Sequence, residues 1–210
     1  MPCRQRTLCH HRAVDGNDAA DGIKDELHRK LRLAREGVLA KVAGLSEYDL
    51  RRPMTPTGTN LLGLVKHLAG VEYGYLGESL DRPPPEQLPW VEDGTIWEGA
   101  DMWATRDESS DDIIALYRRA CEHGDRTIES LDLTSPGTVA HWPPERRNTT
   151  LGVLLIRMVA ETAQHAGHAD IVRELIDRRA GADHDGYGDD DTWRLYLAKV
   201  QAAADAFAAP

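Results

Sequence analysis

Long stretches of this chain place apolar residues three and four positions apart, and no stretch alternates apolar with polar residues as a half-buried strand does. A period of that kind turns one helix face toward a core, so the fold class expected is all-α. A first helix is expected over about residues 21–43, where Ile23, Leu27, Leu31, Ala34 and Val38 share a face and Gly44 ends the run. A second is expected over 60–80, with Asn60 as N-cap and Leu61, Leu64, Val65, Leu68, Val71 and Tyr75 as its stripe. A third starts at a cap of Ser109 or Ser110 and runs to about Leu131, offering Ile113, Ile114, Leu116, Tyr117, Ala120 and Ile128 to the core. The fourth covers 149–180 and closes at Gly181, and DTWRLYLAKVQAAADAFAA forms a fifth, suited to pack on the bundle or on a second subunit.

Between the second and third helices lies the Pro-, Trp- and acid-rich segment 81–108. A connection that long inside a compact domain usually lids a site or crosses over a bundle end. Trp90, Trp97 and Trp103 are costly to leave in water, so part of it is expected to pack down. The stretch SPGTVAHWPPERRN reads as a loop and HDGYGDDD as a flexible linker.

At 210 residues the chain makes one domain with tails: a disordered tail over 1–20, a bundle over 21–181, and a linker and C-terminal helix packed on it over 182–210. The net charge of −10 and the lack of a basic stripe argue against a nucleic-acid or anionic membrane partner. MPCRQRTLCHHRAVDG lacks a signal-peptide core, and no run reaches the roughly 18 apolar residues of a membrane span, so a cytosolic protein is expected. Cys3, Cys9 and Cys121 are too few and too irregularly spaced for a disulfide framework. Cys9, His10 and His11 can bind metal adventitiously, although a disordered extension is the simpler reading.

Chemistry enters with MVAETAQHAGHAD. Taking about 100° per residue and Glu161 as zero, His165 falls near +40°, His168 near −20° and Arg157 near −40°. Glu161 and His165, one turn apart with Cβ atoms about 5–6 Å from each other, can reach one ion. Glu161 follows Met158, Val159 and Ala160 into the core, where a carboxylate needs a cation or a proton. His67, inside the apolar stretch LLGLVKHLAGVEYGYL, is the candidate third ligand. The same residues also fit an i, i+4 ion pair on a helix surface and a hydrogen-bonded core histidine.

LLGLVKHLAGVEYGYLGESL and ETAQHAGHADIVREL resemble the second and last bundle helices of the DinB-like metal-binding proteins. The glutamate that opens the second motif is similar to that of their mycothiol-dependent maleylpyruvate isomerase branch. The resemblance covers about residues 25–180 and implies a four-helix bundle with a long crossover loop, extended here by a C-terminal helix. It implies the ligand set His67, Glu161 and His165. Arg157 stands where close relatives often have a histidine; it can hold a substrate anion or the Glu161 carboxylate, or lie at the surface of the bundle end. His168 can be a fourth ligand, a proton shuttle, a partner of His165 or a neighbouring-helix contact. The chain has only a short helix after Gly181, where the isomerases carry a further domain, which speaks against maleylpyruvate isomerisation itself.

Two imidazoles and a carboxylate suit Zn²⁺ best, with Ni²⁺, Mn²⁺ or Fe²⁺ as alternatives. The function expected is transfer of a metal-activated low-molecular-weight thiol, mycothiol or a relative such as bacillithiol, to a small electrophile. In that scheme Arg157 or His168 steadies the substrate anion or the proton. A non-catalytic metal-binding or stress-response bundle is the alternative, and a homodimer is a natural assembly for a helical domain of this size.

Overall fold

A computed structural model describes residues 16–181 and 184–208. Four long helices dominate it: α1 (Gly16–Val42), α3 (Leu61–Leu76), α5 (Ser110–Ser130) and α7 (Leu151–Asp177), with a short α2 (Glu47–Arg51) after the first. Helix α1 packs along α7, α3 pairs with α5, and contact between α3 and α7 joins the two pairs into a bundle. Within the segment between α3 and α5 lie the single-turn helix α4 (Pro89–Glu92) and three short 3₁₀ turns. Among the described residues no helix is long and apolar enough to cross a membrane.

The helix termini follow local chemistry. Asn60 Oδ1 accepts from the Gly63 amide at 2.8 Å and so caps α3. Ser109, rather than Ser110, caps α5, and Asp111 and Asp112 place negative charge in its first turn. Helix α7 ends at Asp177, four residues before Gly181, with Arg178 in the left-handed conformation at its C-cap.

Leu31, Leu62, Val65, Leu68, Tyr73, Leu76, Tyr117, Ile128, Leu154, Leu155 and Met158 fill the core. It also holds a charge network whose members carry no spacing signal in the sequence. Arg35 of α1 donates from Nε and Nη2 to the two carboxylate oxygens of Glu72 on α3, each at 2.7 Å, and Glu72 has no exposed surface. Asp125 of α5 accepts from Arg35 at 2.5 Å and lies 2.7 Å from His28 Nε2. Forked guanidinium–carboxylate geometry satisfies both charges where water cannot.

The structure departs from the expectations in several places. Residues 136–150 are not a plain loop: β1 (Pro136–Thr138) pairs antiparallel with β2 (Asn148–Thr150) in the register Pro136↔Thr150, and the turn α6 (Pro144–Arg147) lies between them. Strands of three residues are too short to show alternation, and the second delays the start of α7 to Leu151. The 81–108 segment packs down in part, as expected: Trp90 is buried at 7% exposure, whereas Trp97 and Trp103 stay open at 76% and 53%. Ile23 is also on the surface.

Residues 1–15, with Cys3, Cys9, His10 and His11, lie outside the described residues. Helix α1 already runs from Gly16. Beyond the bundle, α8 (His184–Tyr187) leads into α9 (Asp190–Asp205), where the His184 and Trp193 rings stack 5.0 Å apart. No residue of α9 is buried.

Candidate metal centre

The contact between α3 and α7 brings His67, Glu161 and His165 together. Glu161 Oε1 lies 3.5 Å from His67 Nε2 and 3.3 Å from His165 Nε2, and all three ligand atoms fall within 4.8 Å of one another. Ligand atoms bound at about 2.1 Å with a tetrahedral angle stand roughly 3.4 Å apart, so the donor set and its spacing fit a first-row divalent ion. The imidazole rings meet edge to face with centroids 5.0 Å apart.

Asp101, to which no sequence pattern points, fixes the His67 ring. Its Oδ2 lies 2.6 Å from His67 Nδ1, and its side chain is 8% exposed. A carboxylate only accepts, so Nδ1 carries a proton and Nε2, which faces Glu161, is the nitrogen left to meet an ion. Asp101 is held by a strip of α3 residues one turn apart. Asn60 Nδ2 donates to the Met102 carbonyl at 3.2 Å. Gly63 lies against that carbonyl so closely that a Cβ there would overlap it. The buried Lys66 ammonium donates to the Ala100 and Trp103 carbonyls at 2.8 and 3.1 Å and pairs with Glu108 at 2.8 Å. One acidic residue among several in an irregular loop has no period to reveal it; the Asn-x-x-Gly-x-x-Lys-His face is its only trace in the sequence.

Burial disfavours the charged form of His67, but the hydrogen bond and charge of Asp101, aided by Glu161, outweigh it and raise the pKa. His165 moves the other way, because burial and the neighbouring His67 lower its pKa against the pull of Glu161.

A cavity of about 780 Å³ opens from this cluster. His67, Asp101 and Glu161 line it on the cluster side, and Leu88, Val91, Ile96 and Met102 of the 81–108 segment add apolar wall. Tyr75, Trp97, His141 and Arg157 line it as well. Arg157 projects from α7 one turn before Glu161, with Nη2 3.9 Å from Glu161 Oε2. His168 stands on the far side of His165, its Nδ1 3.3 Å from His165 Nδ1, and does not line the cavity. The cluster thus gathers His67, Glu161 and His165, with Arg157 on the cavity wall and His168 behind.

The all-α bundle is the architecture of the DinB-like superfamily. The mycothiol-S-transferase family matches residues 26–178, and the chain belongs to that family. A comparison with curated proteins gives no match.

Proposed function

We propose that the chain is a metal-dependent transferase that joins a low-molecular-weight thiol, mycothiol or a close relative, to a small electrophile. The observation carrying this reading is that Nε2 of His67 and of His165 lie 3.5 and 3.3 Å from one oxygen of Glu161 beside a large cavity. His67, Glu161 and His165 would hold the ion, Zn²⁺ being the best match to the donors, with Ni²⁺, Mn²⁺ or Fe²⁺ as alternatives. A bound divalent ion supplies Lewis acidity, lowering the pKa of a coordinated thiol so that thiolate forms at neutral pH.

The residues of this chain supply orientation and shelter. Asp101 holds the tautomer and the direction of His67. Leu88, Val91, Ile96 and Met102 of the 81–108 segment give the cavity an apolar wall against which the electrophile can lie. In the reaction the thiol proton leaves to solvent, the sulfur lone pair forms the S–C bond, and the leaving group departs with its bonding pair. His168 touches the ring nitrogen of His165 that faces away from Glu161, so it acts as a positioning residue rather than as a fourth donor closing the site. That supports an open, catalytic site over a closed, structural one.

The test pairs metal analysis with turnover. Protein purified without chelator should carry about one ion per chain and transfer mycothiol to 1-chloro-2,4-dinitrobenzene. Glu161→Gln, with its helical spectrum intact, should lose both. Full metal content and full transfer in that variant would refute the assignment.

A further inference from the structure

Arg157 is presented in an unusual way. Its guanidinium carbon lies 4.8 Å from the Tyr75 ring centroid and 5.5 Å from that of Trp142, so two aromatic faces hold the planar group in place. The platform is itself tied together. Trp142 Nε1 donates to Tyr75 Oη at 3.3 Å, and His141 Nε2 lies 3.3 Å from the same oxygen. The β1–β2 ribbon delivers His141 and Trp142 to this point. Other arginines in the fold spend their donors: Arg35 on Glu72 and Asp125, Arg51 on Glu47 and two carbonyls, Arg119 on Glu86, Arg173 on Asp177 and two carbonyls. Among the described residues Arg157 donates no hydrogen bond, and its nearest carboxylate stands off at 3.9 Å.

Its position gives that unused fork a direction. Arg157 is the single Lys or Arg among the described residues that line the cavity, one helical turn from the metal-ligand candidate Glu161. Two of the carboxylates on the same walls are engaged elsewhere: Glu86 by Arg119 and Tyr73, and Asp101 by His67. Glu161 turns its other oxygen to two histidines. Glu78 and Glu92 also line the cavity and disfavour an anion bound loosely anywhere in it. Only a carboxylate-sized group meeting the guanidinium directly, two N–H groups to two oxygens, gains more than it loses. Trp97 and His141, with ring centroids 6.0 Å apart beside this point, offer apolar surface to a planar body attached to that group.

We propose that the electrophile is a planar compound bearing a carboxylate, and that Arg157, set on Tyr75 and Trp142, selects it by binding that carboxylate. This rests on the reading of the cavity as the place where thiol meets electrophile. A Lys in place of Arg157 keeps the charge but not the flat fork, so it preserves only part of the selection.

The experiment separates binding from turnover. Quenching of tryptophan fluorescence is titrated with 3-nitrobenzoate and with neutral 3-nitrobenzamide, neither of which can be displaced by a thiol. Transfer is measured in parallel with 4-fluoro-3-nitrobenzoate and its amide, where the S–C bond forms and fluoride leaves. The parent protein should bind the carboxylate about tenfold more tightly than the amide, as expected for one charge-assisted contact. Arg157→Gln should bring the ratio to about one, and Arg157→Lys should leave it between. Equal binding of acid and amide by the parent, or an undiminished preference in a folded Arg157→Gln, overturns the proposal. Should that variant not fold, an Arg157→Lys ratio equal to the parent's overturns it as well. A preserved binding preference without transfer of either fluoroarene would refute the transferase reading and leave the anion site standing.

Discussion

Replacing Asp101 by Asn should weaken metal binding by an amount that depends on pH in a defined direction. The substitution removes a 2.6 Å bond between His67 Nδ1–H and a carboxylate that is 8% exposed, so water replaces little of it. Removing such an outer partner from a ligating histidine costs about 10- to 100-fold in metal affinity, or ~1.4–2.7 kcal/mol. The burial of Asp101 places the expected loss in the upper half of that range. The same carboxylate also raises the proton affinity of His67, and a proton on Nε2 competes with the ion. The Asp101→Asn variant therefore binds both competitors, proton and ion, more weakly. Near pH 6 the losses partly cancel, whereas at pH 8, where little proton competes, the full deficit shows. Competition against a chromophoric chelator at both pH values, with melting curves confirming the fold, measures it. An affinity within twofold of the parent at pH 8, or a larger deficit at pH 6 than at pH 8, would refute the role assigned to Asp101.

Other consequences concern the frame around the site. Glu72→Gln strands the buried Arg35 fork; breaking a buried pair costs about 3–5 kcal/mol, which for a domain of this size lowers Tm by roughly 6–20 °C in calorimetry. A drop under about 3 °C would mean that Asp125 alone satisfies Arg35. Gly63→Ala drives a Cβ into the Met102 carbonyl and should displace the turn carrying Asp101, reproducing the metal deficit of Asp101→Asn; unchanged affinity would show that the turn yields without moving Asp101. In the metal-free protein, the raised pKa of His67 adds stability that is complete below its unfolded pKa of about 6.5 and is lost as pH rises through the folded value. The lowered pKa of His165 acts oppositely, its contribution being present above that unfolded value and lost as pH falls. His67→Gln should thus abolish the fall in stability to urea that this group gives the parent as pH rises above 6.5, measured with chelator present; an unaltered slope would count against the Asp101–His67 bond.

The helices of the candidate site were legible because a helix converts spacing into position: Glu161 and His165 at i, i+4 must share a face, and the apolar stripe of α3 turns its neighbour His67 toward the same interior. The resemblance to DinB-like proteins rests on those helical strings and agrees with the family match. Pairings made across long sequence separations left no such trace. Arg35 and Glu72 are charged residues in amphipathic helices, and only the pairing of α1 with α3 explains why they lie inside. Asp101, His141 and Trp142 reach the cavity from irregular backbone, where no period connects residue number to direction. Which tryptophan of 81–108 would pack down was equally illegible: Trp90 is buried, whereas Trp97 stays exposed and lines the cavity.

The cavity is built from two kinds of material with different tolerances for change. The cluster of candidate ligands beside it depends on the register of α3 against α7, where a one-residue slip would rotate His67 or Glu161 by about 100° and dismantle the cluster. The rest of its lining comes largely from the 81–108 segment, with His141 from the β1–β2 ribbon; apart from Asp101, which holds His67, these parts can vary in length and composition without moving either helix. Reactivity and selectivity can consequently be altered separately. Sequences sharing the His67, Glu161 and His165 pattern should be able to diverge widely in what they accept, provided the loops change and the helices do not.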